Sequence, residues 1–275
     1  MNKGMVSRVV QWVLILLLFS GFPVQESSAQ EDSKAAEVAN QFLQAVLQGD
    51  SPTAFELCSS GLQRGKTPED FLKSPEISGV FSGMNKWEVL KVAGKGSILT
   101  VVLKLMSKRS SEESFSALGM ACLRMRDSYR VRDLSSTPWV SSEARYLRYL
   151  SDLYTRLDDM DTAEKTIEEA YGMDPKDPKV SAFMGYMLLE KGTDLEEAKN
   201  LIQAALDQEP DDPEFMDFLA WYYHKANQRQ ESVQWFDKAR EAFKKIDGYQ
   251  SSPEYVRFSS HVDKAKASGW KPTQT

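Results

Sequence analysis

Residues 185–210, GYMLLEKGTDLEEAKNLIQAALDQEP, decide how the second half of this chain is read, because their small, apolar and turn residues recur at a constant interval. Ala198, Ile202, Ala205 and Pro210 are preceded by Ala163, Ile167, Ala170 and Pro175, and followed in degraded form by Ser232, Phe236, Ala239 and Lys244. These steps are 35 and then 34 residues. The leading half of each unit steps the other way. Leu150, Ser151 and Tyr154 become Met184, Gly185 and Leu188 after 34 residues, then Leu219, Ala220 and Tyr223 after 35. One extra residue within Gly192-Thr193-Asp194 reconciles the two series. A turn absorbs an insertion at little cost, whereas on a helix it would rotate every later side chain by about 100°. A period near 34 predicts stacked pairs of helices, an architecture that presents a grooved surface to other polypeptides.

Packing and capping chemistry agree with the period. Ser151, Gly185 and Ala220 on the first helices, and Ala163, Ala198 and Ser232 on the second, are small enough to let two helices approach. Asp177-Pro178 and Asp212-Pro213 each place a capping carboxylate before a proline suited to the first helical position. Asp161 with Glu164, and Thr193 with Glu196, have capping-box spacing for the second helices. Ser252-Pro253 repeats the start signal, and Tyr255, Phe258, Val262 and Ala265 follow at helical spacing with Arg257, His261 and Lys264 between them. This predicts a helix that covers the last repeat, stopping near Gly269 with a frayed tail at 271–275; the alternative is half of a fourth repeat.

From Ser142 to Phe243 the chain resembles the tetratricopeptide-repeat family. The middle unit carries Gly185, Gly192, Leu195, Ala198, Ala205 and Pro210; the first has Ser151 in place of the glycine and the third has Lys244 in place of the closing proline. The resemblance implies three repeats in residues 142–246, at about 144–177, 178–212 and 213–246, with a capping helix and tail in 247–275. It implies a concave face lined by the first helices. Arg145, Arg148, Asp152, Thr155 and Arg156 then point inward from the first repeat, Lys179, Ala182, Tyr186, Leu189 and Glu190 from the second, and Glu214, Asp217, Trp221, His224 and Lys225 from the third. Arginines suit carboxylates and aromatic rings suit flat apolar contact, so Arg145, Arg148, Asp152, Arg156, Lys179, Tyr186, Trp221, His224 and Lys225 are the candidate peptide-binding positions. The competing reading buries Tyr186 and Trp221 in a core and leaves the arginines as surface charges. The family's best-known groove grips a C-terminal carboxylate with asparagines, and Asp152 and Tyr186 occupy those places here.

The front of the chain reads as an address. Lys3 and Arg8, the apolar run from Val13 to Phe19, and Ser27-Ser28-Ala29 make residues 1–29 a signal peptide cleaved after Ala29. The run is short for a membrane span, which needs about 20 residues. The expectation is therefore a periplasmic or extracellular protein, with an uncleaved membrane tether as the alternative. Removing residues 1–29 takes away Lys3, Arg8 and Glu26 and leaves 32 basic against 39 acidic residues, a balance that argues against nucleic-acid binding.

Residues 30–136 have a different grammar. Ala35, Val38, Ala39, Phe42, Leu43 and Val46 form a helical stripe ending at Gly49; Ser51-Pro52 starts a second helix and Thr67-Pro68 a third, broken near Pro75. Strands follow at Trp87–Ala93, Ile98–Met106, Phe115–Arg126 and Tyr129–Leu134, the last two as a hairpin around Asp127-Ser128. The order predicts an α+β domain of three helices and a four-stranded antiparallel curved sheet, followed by the all-α solenoid. Val38-Ala39-Asn40-Gln41-Phe42-Leu43 with Gly49-Asp50, and Tyr129-Arg130-Val131-Arg132-Asp133-Leu134, resemble the nuclear-transport-factor-two-like superfamily, which implies either ligand binding or enzymatic activity.

Catalytic chemistry finds little support. The two histidines, His224 and His261, lack partners at metal-ligand spacing; Asp158, Asp159 and Asp161 lack the glycine and glutamate of a calcium loop. No phosphate loop or nucleophile elbow appears, so no cofactor, metal or catalytic residue is expected. Cys58 and Cys122 are the only cysteines; an exported protein permits a disulfide between them, with two buried thiols as the alternative. The leading expectation is an exported scaffold that binds a protein or peptide through its concave face. The alternatives are a small-ligand-binding or weakly enzymatic front domain with the repeats as an assembly module, and self-association through the groove.

Overall fold

Ala35, Ala39, Phe42 and Leu43 lie on one stripe of a helix, and all four are completely buried. That helix, α1, spans Val24–Gln48. The computed structural model describes residues 24–109, 112–126 and 128–269. Most of the expected leader, the tail at 271–275, and Asp127 of the expected hairpin turn lie outside the described residues. No described helix is long and apolar enough to cross a membrane.

α2 (Ser51–Glu56) starts as its sequence dictates: Asp50 accepts the Thr53 amide at 3.1 Å, and Pro52 sits in the first turn. α3 (Ser60–Gln63) has no counterpart in the expected pattern. The expected third helix from Thr67 is corrected. Thr67–Asp70 is a turn, Phe71–Lys73 a short 3-10 helix, and α4 (Pro75–Ser78) begins at the proline expected to break it. The reason is that proline is preorganised for the first helical position, and Ser74 before it is extended. Four strands follow, β1 (Met84–Lys95), β2 (Ile98–Arg109), β3 (Glu112–Arg124) and β4 (Tyr129–Ser136), in one sheet with the order β1-β2-β3-β4. Phe42 packs against Phe71 and Phe81, with centroids 6.5 and 5.8 Å apart. Residues 57–59 lie alongside β4: Val131 donates to the Leu57 carbonyl and Ser59 donates to the Val131 carbonyl.

The chain divides into two compact units. Among the described residues, one gathers 24–104 with Leu118–Ser135, and the other Leu105–Ala117 with 136–269. The second holds three helix pairs: α5 (Glu143–Arg156) with α6 (Met160–Met173), α7 (Pro178–Lys191) with α8 (Leu195–Gln208), and α9 (Pro213–Lys225) with α10 (Arg229–Phe243). A last helix, α11, spans Pro253–Ala267. Asp177 and Asp212 cap α7 and α9 as expected. The two capping boxes are corrected. α6 follows Asp159, leaving Asp161 inside its first turn, and Asp194, not Thr193, caps α8 by accepting the Glu197 amide.

The small residues meet where the period places them. Ser151 Oγ donates to the Ala163 carbonyl at 2.6 Å, and Ser232 Oγ donates to the Ala220 carbonyl at 3.0 Å. At Gly185 an added Cβ would stand 2.8 Å from the Ala198 carbonyl and 2.9 Å from Ile202 Cγ1, so only glycine fits this approach. Asp158, Gly192 and Asn227, each seven residues beyond Ser151, Gly185 and Ala220, take left-handed φ of 60°, 69° and 59°. Five residues then lead to Ala163 and Ser232, but six lead to Ala198, which places the extra residue in Thr193-Asp194.

Candidate functional site

The inward side chains of α5, α7 and α9 converge on one groove, and α11 fills it. Arg148 is 1 % exposed and bonds to Glu214, linking the first repeat directly to the third. Arg257 of α11 reaches Asp152 through Nη1 and Glu214 through Nη2. One turn later, His261 Nδ1 lies 3.0 Å from both oxygens of Asp217. A carboxylate only accepts, so Nδ1 carries the proton in this bond. Aromatic rings enclose both α11 side chains. The Arg257 guanidinium carbon is 5.0, 5.4 and 5.6 Å from the rings of Phe218, Tyr186 and Phe183. The His261 ring stacks on Trp221 at 4.5 Å and 6°. Phe258, between them, packs on Phe236 and Phe243 of the third repeat.

The physics explains why this cluster is charged yet closed. Taking ions out of water costs several kcal/mol each and is offset only when each charge is closely paired. Burial alone would raise the Glu214 carboxyl, but Arg148, Arg257 and Lys179 outweigh it and hold the group at about 2. Burial would lower Arg257, yet Asp152 and Glu214 raise it. Burial pushes the Tyr186 hydroxyl up. Nε of Arg148 and of Arg257 is buried without a partner, so the terminal guanidinium nitrogens hold the cluster together.

The candidate positions therefore divide. Arg148, Asp152, Lys179, Tyr186 and Trp221 belong to the groove; apart from Lys179 they are buried, which for Tyr186 and Trp221 matches the core reading and for Arg148 departs from a surface charge. Trp221 Nε1 donates to Glu190 at 2.7 Å, and Lys225 lies 3.3 Å from the same carboxylate. His224 stacks on Trp221 at 4.8 Å, and burial followed by the nearby Lys225 lowers its pKa. Arg156 stays on its own helix, 3.4 Å from Asp152. Arg145 turns out of the groove to Asp177 at the start of α7. Residue patterns do not single out Arg257 and His261, which stand between the apolar positions of a capping helix. The signal was available: 257, 258, 261, 262 and 265 form one continuous stripe, facing Asp152, Glu214 and Asp217, three acids at inward positions.

In the front domain the structure has the second of the two readings of the cysteines. Cys58 and Cys122 are free, buried thiols; Cys58 Sγ donates to the Ala54 carbonyl at 3.2 Å. Burial pushes both thiols up to about 12, which keeps them protonated and inert. A hollow of about 230 Å³ beside the start of α1 includes Glu31, Arg124 and Tyr129, but the carboxylate is held by Arg124. Among the described residues no group of three or more acidic, histidine or cysteine side chains is placed to hold a metal.

Known proteins match the same half of the chain. Residues 150–177 and 187–245 each match a tetratricopeptide repeat model. The C-terminal half of the chain is thus an array of tetratricopeptide repeats, a protein-interaction fold. Among solved structures, the TPR2B-domain:pHsp70 complex of yeast Sti1 is 18 % identical, with 46 % of this chain and 97 % of that chain covered and a TM-score of 0.35. PcrH from Pseudomonas aeruginosa is 16 % identical, with 46 % and 94 % covered and a TM-score of 0.36. The first TPR domain of human RPAP3 is 12 % identical, with 46 % and 96 % covered and a TM-score of 0.33. No curated protein matches the chain.

Proposed function

We propose that this protein is an exported, non-enzymatic scaffold whose repeats recruit a protein partner through the concave groove, with α11 as the resident occupant that the partner replaces. The observation that carries the reading is the pair Arg257 and His261, one helical turn apart, each held by groove carboxylates. A groove that recognises a helix side chain by side chain has the chemistry to recognise another. Export rests on the basic start, apolar run and small residues within 1–29.

Availability of the groove is testable on the wild-type chain by amide hydrogen exchange. An exchangeable occupant predicts that amides of 253–267 exchange through an opening smaller than the global unfolding of α5–α10. If they share the protection of the repeat helices, α11 is a fixed part of the core and the groove is closed to partners.

A further inference from the structure

We infer that the partner that enters the groove is an arginine-bearing amphipathic helix, with a guanidinium at one position and a second cation or N–H donor one turn later. The inference rests on the groove being exchangeable, and names what enters it. Without α11 the floor presents Asp152, Glu190, Glu214 and Asp217 with Arg148, Arg156, Lys179 and Lys225, and Asp217 is the acid among them without a basic partner on the floor. Arg148 is already committed to Glu214, and Lys225 to Glu190. Asp217, 1 % exposed, takes its hydrogen bonds from His261. A ligand that supplied no cation would bury Asp217 without its His261 partner and leave Asp152 with Arg156 alone, which is the strongly destabilising way to break a buried ion pair.

Shape narrows the choice further. Three rings, from Phe183, Tyr186 and Phe218, lie 5.0–5.6 Å from the Arg257 guanidinium carbon. A planar guanidinium lies on such faces while its separate terminal nitrogens fork to two carboxylates, here Asp152 and Glu214; an ammonium has no planar face and no such fork. The second position faces Trp221 and Asp217, and calls for a flat donor such as imidazole. Between them an aromatic or aliphatic residue would fill the place of Phe258, against Phe236 and Phe243. An acidic chain end, by contrast, would set a further carboxylate beside Asp152 and Asp217 at the places of Arg257 and His261.

The test uses a labelled peptide of residues 252–269 and the full chain carrying Arg257→Glu, which sets a third carboxylate beside Asp152 and Glu214 and expels α11. The milder Arg257→Gln is run beside it, so that either folded variant suffices. A third arm titrates unlabelled peptide into the wild-type chain and follows amide exchange in 253–267, which needs no substitution. We expect saturable binding of the peptide. Arg257→Gln in the peptide should weaken binding by about tenfold or more, and Arg257→Lys by less. A peptide with an acidic C-terminus should not compete. If no peptide binds a folded variant and none speeds exchange in the wild type, the exchangeable groove itself is wrong. If the neutral peptide binds as tightly as the native one, or the acidic peptide competes, the partner class is wrong while the groove stands.

Discussion

The repeat array is held together by two surfaces of opposite chemistry. In the seam within each helix pair, small residues repeat: Ser151 against Ala163, Gly185 against Ala198, Ala220 against Ser232, with backbone oxygens as the touching atoms. In the groove nothing repeats. Arg148, Tyr186 and Glu214 come from three different repeats, and α11 adds Arg257 and His261. The seam is a distance constraint that serine and alanine meet in the outer pairs and glycine alone meets at Gly185; the groove is a set of unlike charges that must all be present. Periodic contacts can therefore drift one at a time, whereas removing one groove charge strands the others.

That contrast sets an order of effects. Glu214→Ala should be the most damaging, because it leaves Arg148 and Arg257 buried beside a hole; a loss of about 4 kcal/mol is expected in urea unfolding. A change below about 1 kcal/mol would mean that the groove charges are solvated in solution.

Acid should separate the two surfaces without any substitution. Glu214 has a folded pKa of about 2, depressed from 4.5, by Arg148 on α5, Lys179 on α7 and Arg257 on α11. A depressed carboxylate contributes stability that is present above its ordinary pKa and lost as pH falls through the folded value. About 3 kcal/mol should therefore disappear between pH ~4.5 and ~2. Near-ultraviolet circular dichroism, which senses Trp221 against His261, should change in that window before far-ultraviolet helicity falls. Simultaneous loss of both signals would show that groove and seam melt as one.

The seam should yield less. Gly185→Ala forces a methyl to within 3 Å of backbone oxygen and should cost about 2 kcal/mol, and Ser232→Ala, which removes one buried donor, about 1. Thermal unfolding of the two variants checks the order; a Gly185→Ala protein no less stable than Ser232→Ala would show that α7 and α8 can move apart freely.

The same division explains what residue patterns could show. Seam contacts are local and recur, so the period located the helix pairs, their small residues and the one extra residue near Thr193-Asp194. Inward positions were legible too, since Arg148, Asp152, Tyr186, Glu214 and Trp221 all face the groove. Their occupant was not, because Arg257 lies 105 residues from Asp152 and no repeat relates them. An arginine between apolar positions reads as solvent-facing until its acids are seen opposite. The front domain was legible in element order. Its weaker signals fail where proline has two meanings: in a helical pattern Pro75 reads as a breaker, but it serves as a helix start.

The direct bond from Arg148 to Glu214 has a consequence for how the array comes apart. Stacked repeats ordinarily behave as a string, each touching only its neighbours, so they fray from an end and tolerate loss of a terminal unit. Here the first repeat grips the third, and α11 ties residues of all three together. The string is closed into a loop. With α11 seated, an outer repeat holds the closure as well as its own neighbour, so deleting it should destabilise the rest by more than the one step a string would lose.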